Sequence, residues 1–348
     1  IDYPGGFYRD LAPVHLNYLC ALNAITPPSL HKPFDYCELG CGVGETTLFL
    51  AASYPQARFW GIDLNPSHVA RANGMARDAG LENVRFIAAD IASFDSTQLS
   101  DFDYVTMHGL YAWVPLAVQA AIRTFVTDKL RPGGLVYLSY NAMPGWGSVS
   151  PLRQYFAERA TVLDGDPLAI ARHIVNELME LKQQQAPFFR ENPVAADIVT
   201  RLASSDPRYV VHEYLGSSWQ PLYFTEVFDE FTACGLQFVA EAGIVESLVP
   251  HSVAPAFVER LKQEEDVCRR ESLRDFIQNR FFRRDVFRKP RDDDEEAPGT
   301  LASLHATLFG LIADPRQIPS TMNLPDAPSI SFEGPWFERI KQLLGYRV

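Results

Sequence analysis

Long hydrophobic runs are missing from this sequence of 348 residues. No apolar stretch reaches the roughly 18–20 residues that a membrane-spanning helix needs. We therefore expect no membrane partner and a cytoplasmic location. The sequence begins at Ile1 rather than Met, so we expect that its natural start has been trimmed, and a removed signal peptide is an open alternative.

An excess of basic residues is also missing. Lys and Arg total 31 against 43 Asp and Glu, which gives a net charge of −12. Proteins that bind nucleic acid or anionic lipid use a basic face, because phosphate groups are negatively charged. The composition therefore predicts neither nucleic acid nor a membrane surface as a partner.

Cysteine is scarce and scattered. The five cysteines are Cys20, Cys37, Cys41, Cys234 and Cys268. No Cys-x-x-Cys pair and no cluster of Cys and His has the spacing of metal ligands. We therefore predict reduced thiols and no metal site.

Residues 34–140 alternate between short apolar runs and helix-like segments. The apolar runs, predicted as strands, are Phe34–Leu39, Arg58–Ile62, Val84–Ala88, Tyr104–Met107 and Leu135–Tyr140. The predicted helices are Glu45–Ser53, Pro66–Ala79 and Pro115–Leu130. Such alternation is typical of a doubly wound α/β fold, with a buried parallel sheet and helices on both faces.

The remainder of the chain has a different pattern. Residues 151–205 read as successive amphipathic helices, and Leu236–Glu241 then reads as a strand that continues the sheet. We predict a domain of residues 1–150 completed by 221–250, with 151–220 as a helical insertion or lid; a separate helical domain is the alternative. Residues 253–288 read as helical within a region 251–290. Residues 291–348 read as a linker and a C-terminal segment, in which 301–348 has a helix-like piece at each end.

The glycine-rich stretch "ELGCGVGE" lies between the first strand and the first helix. Gly40, Gly42 and Gly44 have the spacing GxGxG, whereas a dinucleotide-binding turn needs GxGxxG. Glu38 also precedes the first glycine, where a carboxylate would repel a pyrophosphate. Both features disfavour an NAD-dependent dehydrogenase and favour a cationic ligand without phosphates, such as S-adenosylmethionine.

Two further carboxylates follow at the ends of the second and third strands. Asp63 lies about 20 residues beyond the glycine loop, where a carboxylate can accept both ribose hydroxyls. Asp90 ends the third strand, where it can accept the exocyclic amine of adenine. We interpret Glu38, Asp63 and Asp90 together as a signature of an S-adenosylmethionine site.

Several blocks of the sequence resemble one family. They are "FYRDLAPVHLNYLC", "FDYCELGCGVGE", "FWGIDLNPSH", "HGLYAWVP", "LRPGGLVYLSYNAMPGW", "HEYLGSSWQPLYFTEVFDEFTACGLQFVAEAG" and "DFIQNRFFRRDVF". They look like the bacterial class I methyltransferases that carry a methyltransferase regulatory domain, a family similar to rickettsial outer-membrane-protein lysine methyltransferases. The resemblance implies a Rossmann-like sheet, S-adenosylmethionine as donor with S-adenosylhomocysteine as product, and a lysine acceptor.

The cofactor site that we expect comes from the strand ends, the glycine loop and the N-terminal segment. Its predicted residues are Tyr8, Glu38, Gly40, Cys41, Gly42, Gly44, Asp63, Leu64, Asp90, Ile91 and His108. Tyr8 is expected to close over the cofactor.

The acceptor is expected beyond the fourth and fifth strands, because the groups there face the sulfonium. Methyl transfer is an in-line displacement that needs alignment and a deprotonated acceptor. The candidate catalytic residues are His108, Tyr111, Tyr140 and Asn141. His108 could be a general base or a structural histidine, and Asn141 could orient an amine. The two tyrosines, together with Trp113 and Trp146, could form an aromatic wall around a methylammonium or the sulfonium, or they could be ordinary residues of the hydrophobic core.

Three functions remain open from the residues alone. A protein-lysine methyltransferase is favoured by an open groove lined with acids, and a small-molecule methyltransferase by a closed apolar pocket under a lid. A non-catalytic cofactor-binding regulator is the third. The apolar helices of 151–205 suit a homodimer contact as well as they suit a lid.

Overall fold

The structure is a computed structural model that describes residues 6–216, 218–292, 321–324, 327–331 and 334–335. Its helices are α1 (Pro13–Leu22), α2 (Glu45–Ser53), α3 (Pro66–Asp78), α4 (Leu116–Lys129), α5 (Ser150–Ala160), α6 (Pro167–Gln183), α7 (Pro187–Glu191), α8 (Pro193–Ser204), α9 (Pro207–Leu215), α10 (Phe224–Ala233), α11 (Ile244–Ser247), α12 (Val249–Ser252), α13 (Pro255–Lys262) and α14 (Val267–Gln278). Its strands are β1 (Asp35–Leu39), β2 (Arg58–Asp63), β3 (Val84–Ala88), β4 (Phe102–Met107), β5 (Leu130–Asn141), β6 (Gln237–Glu241), β7 (Phe282–Arg288), β8 (Thr321–Leu324) and β9 (Ala327–Ser331). Single 3-10 turns lie at Arg9–Leu11, Ser96–Gln98, Tyr111–Trp113 and Gly145–Ser148.

Seven strands form one sheet in the order β3-β2-β1-β4-β5-β7-β6. Strands β1 to β5 run parallel. Strands β2 and β3 lie on one side of β1, and β4 and β5 lie on the other side, so the winding of the sheet switches between β1 and β4. The strand order predicts a ligand site at the carboxyl ends of β1 and β4, because ligands bind where the winding of such sheets switches. The predicted doubly wound α/β fold is confirmed.

Helices cover both faces of this sheet. On one face α1, α2 and α3 bury Leu16, Leu50 and Val69 against the strands. On the other face α4 and α10 bury Phe125 and Phe231. Helix α1 was not predicted, because its apolar residues are spread around its circumference instead of forming one stripe.

Strand β7 departs from the prediction. It lies between β5 and β6 and is antiparallel to both, so the sheet is mixed. The prediction that residues 253–288 are helical is therefore wrong over Phe282–Arg288. Helix α14 ends before Asn279, whose φ of 47° is left-handed, and the chain then returns as a strand. The buried side chains of Arg283 and Asp285 concealed this strand, because a strand inside a sheet is expected to be apolar.

A buried ion network accounts for these charged residues. The guanidinium of Arg283 is fully buried and lies 2.8 Å from Asp285, 2.6 Å from Asp275 and 3.2 Å from Glu271. It also lies 4.2 Å from the ring centroid of Phe224. Charges buried in this way are tolerated only while every partner is present.

Helices α5 to α9 form a unit of their own in the region predicted as an insertion. Proline occupies the first turn of α6, α7, α8 and α9, where its missing N–H removes no helical hydrogen bond. Phe156, Ile174, Val199 and Tyr214 belong to the core that these helices share. Strand β6 joins the main sheet after this unit, and the division of the chain into domains stays a prediction.

The structure describes few residues of the C-terminal segment. The helix-like pieces expected at the two ends of 301–348 lie outside the described residues. Strands β8 and β9 pair antiparallel as a separate two-stranded sheet. Among the helices that the structure describes, none has the length and apolar character to cross a membrane.

Candidate active site

A cavity of about 700 Å³ opens at the carboxyl ends of β1, β2, β4 and β5. One side is formed by the N-terminal segment, the glycine loop and the strand ends. The rest of the lining comes from α9, the segments after β4 and β5, and the residues that enter β7. Eight of the predicted site residues line it: Tyr8, Glu38, Gly40, Cys41, Gly42, Asp63, His108 and Asn141.

The glycine loop forms the floor of the cavity. Gly42 has a φ of 54°, and a Cβ added there would meet no atom within 4 Å, so it would project into open space. Gly44 has a φ of 75°, but a Cβ there would lie 2.4 Å from the ring of Phe86 on β3. The two glycines therefore differ in role: Gly42 keeps the cavity open, and Gly44 lets α2 pack on the sheet.

Glu38 is a buried carboxylate on this floor. Its side chain accepts a hydrogen bond from the Thr47 hydroxyl, one turn into α2. Burial raises the pKa of Glu38 to about 7, against the opposing effect of Thr47, and the negative charge of Asp63 raises it further. A cationic ligand group would relieve this buried charge, which fits the ammonium of an amino acid.

Asp63 is held at the end of β2 by two backbone amides. Its Oδ2 accepts from the N–H of Gly42 at 2.8 Å, and its Oδ1 accepts from the N–H of Asn65 at 2.9 Å. The first bond ties the carboxylate directly to the glycine loop. The acidic group that the sequence assigned to a ribose therefore faces the same cavity as Glu38, in a fixed orientation.

His108 lies under Tyr8. The two ring centroids are 4.0 Å apart and the ring planes are tilted by 31°, and Nδ1 of His108 lies 2.9 Å from the hydroxyl of Tyr137. Burial lowers the pKa of His108 to about 4, so the ring is neutral near neutral pH. A general base works best with a pKa near the working pH. We therefore interpret His108 as a wall residue that supports Tyr8.

Asn141 ends β5 on the acceptor side of the cavity. Its side chain is 6% exposed, and Oδ1 has no hydrogen-bond partner among the described residues. An unpaired buried acceptor is costly unless something else supplies a donor. The arrangement fits an N–H group of a molecule bound in the cavity.

Tyr111 and Tyr140 do not line the cavity, which corrects their prediction as groups that reach the acceptor. Both are fully buried, and burial raises the pKa of each hydroxyl. The hydroxyl of Tyr111 donates to Glu230 at 2.6 Å, and that of Tyr140 donates to Asp285 at 2.6 Å. The sequence placed them near strand ends, but their side chains point into the core instead.

The adenine end of the predicted site is less well defined. Leu64 is 71% exposed, and Ile91 packs at the edge of the core around α4 and α10. Asp90 is exposed, and its Oδ1 accepts from the N–H of Ala92 at 2.9 Å. None of the three lines the cavity described above, so their contact with adenine stays a prediction.

Some lining residues were missed by the sequence reasoning. On the cofactor side they include Thr46, whose hydroxyl accepts from the N–H of Tyr8 at 3.1 Å. From later in the chain they include Tyr209, His212, Glu213, Phe281 and Phe282. These last residues lie far along the chain, and only the helix-strand topology brings them to the carboxyl ends of β4 and β5.

The cavity is acidic. Glu38, Glu45, Asp63 and Glu213 line it, whereas no Lys or Arg does among the residues that the structure describes. The described part of the chain also holds no cluster of three His, Cys, Asp or Glu side chains that could bind a metal. The charge pattern favours cationic ligands at both ends of the cavity.

Two family models match this chain. One, described as a methyltransferase domain, matches residues 30–182. The other, described as a predicted methyltransferase regulatory domain, matches residues 206–289. The second match begins just before α9 and ends just after β7.

Individual proteins are similar over longer stretches. An uncharacterized protein of Rickettsia prowazekii is 30% identical over 236 residues, which cover 66% of this chain and 91% of the relative. An uncharacterized protein of Synechocystis sp. is 33% identical over 287 residues, which cover 82% of this chain and 57% of the relative. The solved structure of PKMT2 from Rickettsia typhi in complex with AdoHcy is similar with a TM-score of 0.72 and 25% identity, over 87% of this chain and 57% of that chain. The chain thus spans little more than half the length of the last two proteins.

Proposed function

Because this chain belongs to the methyltransferases that carry a methyltransferase regulatory domain, we propose that it transfers a methyl group from S-adenosylmethionine to an amine, with a protein lysine as the acceptor. S-adenosylmethionine is the methyl donor of this family. The observation that carries the proposal is the acidic cavity in which Glu38 and Asp63 meet the glycine loop at one end and Asn141 lies at the other.

The donor side would hold the cofactor through residues that are already in place. Glu38 would bind the ammonium of the amino-acid end, and Asp63 would accept the ribose hydroxyls. The open space above Gly42 leaves room for close approach to the backbone. When bound, S-adenosylmethionine supplies a methyl group on a sulfonium that a nucleophile can displace.

The acceptor side supports an amine. A protonated amine is drawn to a cavity with four carboxylates, and it must lose a proton before its lone pair can attack. The Oδ1 of Asn141 can accept an N–H of the neutral amine and so orient that lone pair. Trp113 and Trp146 also line this side, and aromatic faces attract ammonium groups.

PKMT2 from Rickettsia typhi, with which this chain shares most of its fold, is solved in complex with AdoHcy. This similarity supports the same cofactor here. The absence of a nucleic-acid partner, the homodimer and the cytoplasmic location stay predictions.

The proposal is tested with donor labelled in its methyl group and a bacterial cell lysate that is separated into protein and small-molecule fractions. We expect label in the protein fraction, on lysine after hydrolysis. Label confined to small molecules would favour the small-molecule alternative. Binding of S-adenosylhomocysteine without any transfer would favour a cofactor-binding regulator.

A further inference from the structure

The segment that matches the regulatory-domain model contributes to the main sheet and to the cavity. Residues 206–289 include β6 and β7, which are strands of the main sheet, as well as α9 at the cavity. Five residues of this segment line the cavity: Tyr209, His212, Glu213, Phe281 and Phe282. A segment that supplies both sheet strands and cavity lining cannot act only from a distance.

Two of these five residues lie beside residues predicted for the acceptor: Phe282 pairs with Asn141 between β7 and β5, and Nε1 of Trp146 donates to the backbone oxygen of Phe281 at 2.9 Å. The methyltransferase match ends at residue 182, before α9 begins. Asn141 faces the same space with its unpaired Oδ1. The groups that would discriminate between acceptors therefore come largely from the segment 206–289.

We propose that the segment 206–289 forms the acceptor-binding wall of the cavity, and that Glu213 is a specificity-determining residue that selects a cationic acceptor. The proposal rests on the proposed function for its choice of an amine. Glu213 is the acidic side chain that this segment contributes to the lining. It would pair with the ammonium while Asn141 accepts one of its N–H groups.

The position of Glu213 is fixed by the helical unit beside it. Arg153 on α5 donates from Nε to the backbone oxygen of Glu213 at 3.1 Å, and from Nη2 to that of Gly216 at 2.7 Å. Its guanidinium lies 4.5 Å from the ring centroid of Trp219 and is buried there. These contacts anchor the end of α9 at the mouth of the cavity.

Burial lowers the pKa of Arg153 to about 10, and the negative charge of Glu213 opposes this effect. The charge of Arg153 is directed to backbone oxygens and indole rings, and Arg153 does not line the cavity. The acceptor would therefore meet Glu213 and Tyr209 in the lining of the cavity.

The experiment measures binding of n-butylammonium, which has the chemistry of a lysine side chain, to the full chain saturated with S-adenosylhomocysteine. The uncharged n-pentanol is the matched ligand, and saturation-transfer NMR titrations give both affinities. The variant is Glu213→Gln. The control is Glu180→Gln, which removes the same charge from an exposed position on α6.

We expect Glu213→Gln to weaken n-butylammonium binding by about tenfold, as loss of a charge-assisted contact does, and to leave n-pentanol binding unchanged. Glu180→Gln should match the wild type with both ligands. An unchanged affinity of Glu213→Gln for S-adenosylhomocysteine shows that the variant is folded, and Glu213→Asp should restore part of the ammonium binding.

Equal binding of n-butylammonium to the wild type and to Glu213→Gln would overturn the proposal. The proposal would also be overturned if n-butylammonium bound to neither protein. Methyl transfer to a lysine peptide is measured separately with the wild type. Transfer without Glu213-dependent binding leaves the proposed function standing and removes Glu213 from it. Glu213-dependent binding without transfer keeps the cation site and removes lysine as the acceptor.

Discussion

Alanine substitution of two glycines in the same loop should have two different effects. Gly44→Ala places a methyl group 2.4 Å from the Phe86 ring, and Gly42→Ala places one where no atom lies within 4 Å. Both residues have a positive φ, which costs an alanine roughly 1–2 kcal/mol. Only Gly44→Ala adds overpacking, which typically costs about 1–3 kcal/mol.

We therefore expect Gly44→Ala to be less stable than Gly42→Ala by about 1–3 kcal/mol, which is several degrees in Tm for a domain of this size. The order for ligand binding should be reversed. Gly42→Ala fills part of the cavity and should lower the affinity for S-adenosylhomocysteine by about tenfold or more, the effect of about 1.4 kcal/mol. Gly44→Ala, where it is folded, should bind within a few-fold of the wild type.

Thermal unfolding and isothermal calorimetry with S-adenosylhomocysteine measure the two effects on the same samples. The two glycines serve as controls for each other, because the same methyl group is added two residues apart. Equal stability of the two variants would refute the packing role of Gly44. Wild-type affinity in Gly42→Ala would refute the position of the cofactor against the loop.

Four further predictions concern buried polar and charged groups. Affinity for S-adenosylhomocysteine should rise as the pH increases through about 7, because Glu38 must ionise to bind an ammonium, and calorimetry of Glu38→Gln should find weaker binding without this pH dependence. In the free protein the raised pKa of Glu38 lowers stability as the pH rises. The unfolding free energy should fall between about pH 4.5 and about pH 7, because the folded state keeps the Glu38 proton to a higher pH than the unfolded state does. Urea titrations of Glu38→Gln should show a smaller fall. Arg283→Met should cost about 3–5 kcal/mol by stranding its carboxylate partners, against about 0–1 kcal/mol for the exposed pair with Glu259 that is lost in Lys262→Met, and similar Tm values for the two would contradict the buried network. Tyr140→Phe should cost about 1–3 kcal/mol through the lost bond to Asp285 and leave the affinity for S-adenosylhomocysteine unchanged; a large loss of affinity would return Tyr140 to the site.

Most residues that the sequence assigned to the glycine loop and the first two strand ends lie together in the structure, because a local pattern locates them. Gly40, Gly42 and Asp63 lie at strand ends that alternation alone locates, and the structure brings them to one cavity. The class I methyltransferase fold is confirmed by the strand order and by the similarity to PKMT2. Gly44 was assigned to the ligand, but its space is needed by Phe86, a contact between elements that no local pattern reveals.

The acceptor half could not be predicted in the same way. Tyr111 and Tyr140 follow the expected strands, yet their hydroxyls turn inward to carboxylates that come from α10 and β7. Strand β7 itself was hidden because its buried charges are compensated by residues elsewhere in the chain. Glu213 reaches the cavity only because α9 packs beside the carboxyl ends of the strands, which is a tertiary arrangement.

The central claim is methyl transfer to an amine in this cavity, and one measurement tests it most directly. The full chain is incubated with donor labelled in its methyl group and a peptide that has a single lysine, a serine and an acetylated N-terminus. Fragmentation mass spectrometry then locates the label. The account predicts label on the lysine Nζ, and its loss in Asn141→Ala. Label on the serine hydroxyl, or no transfer by a protein that binds S-adenosylhomocysteine, would contradict it.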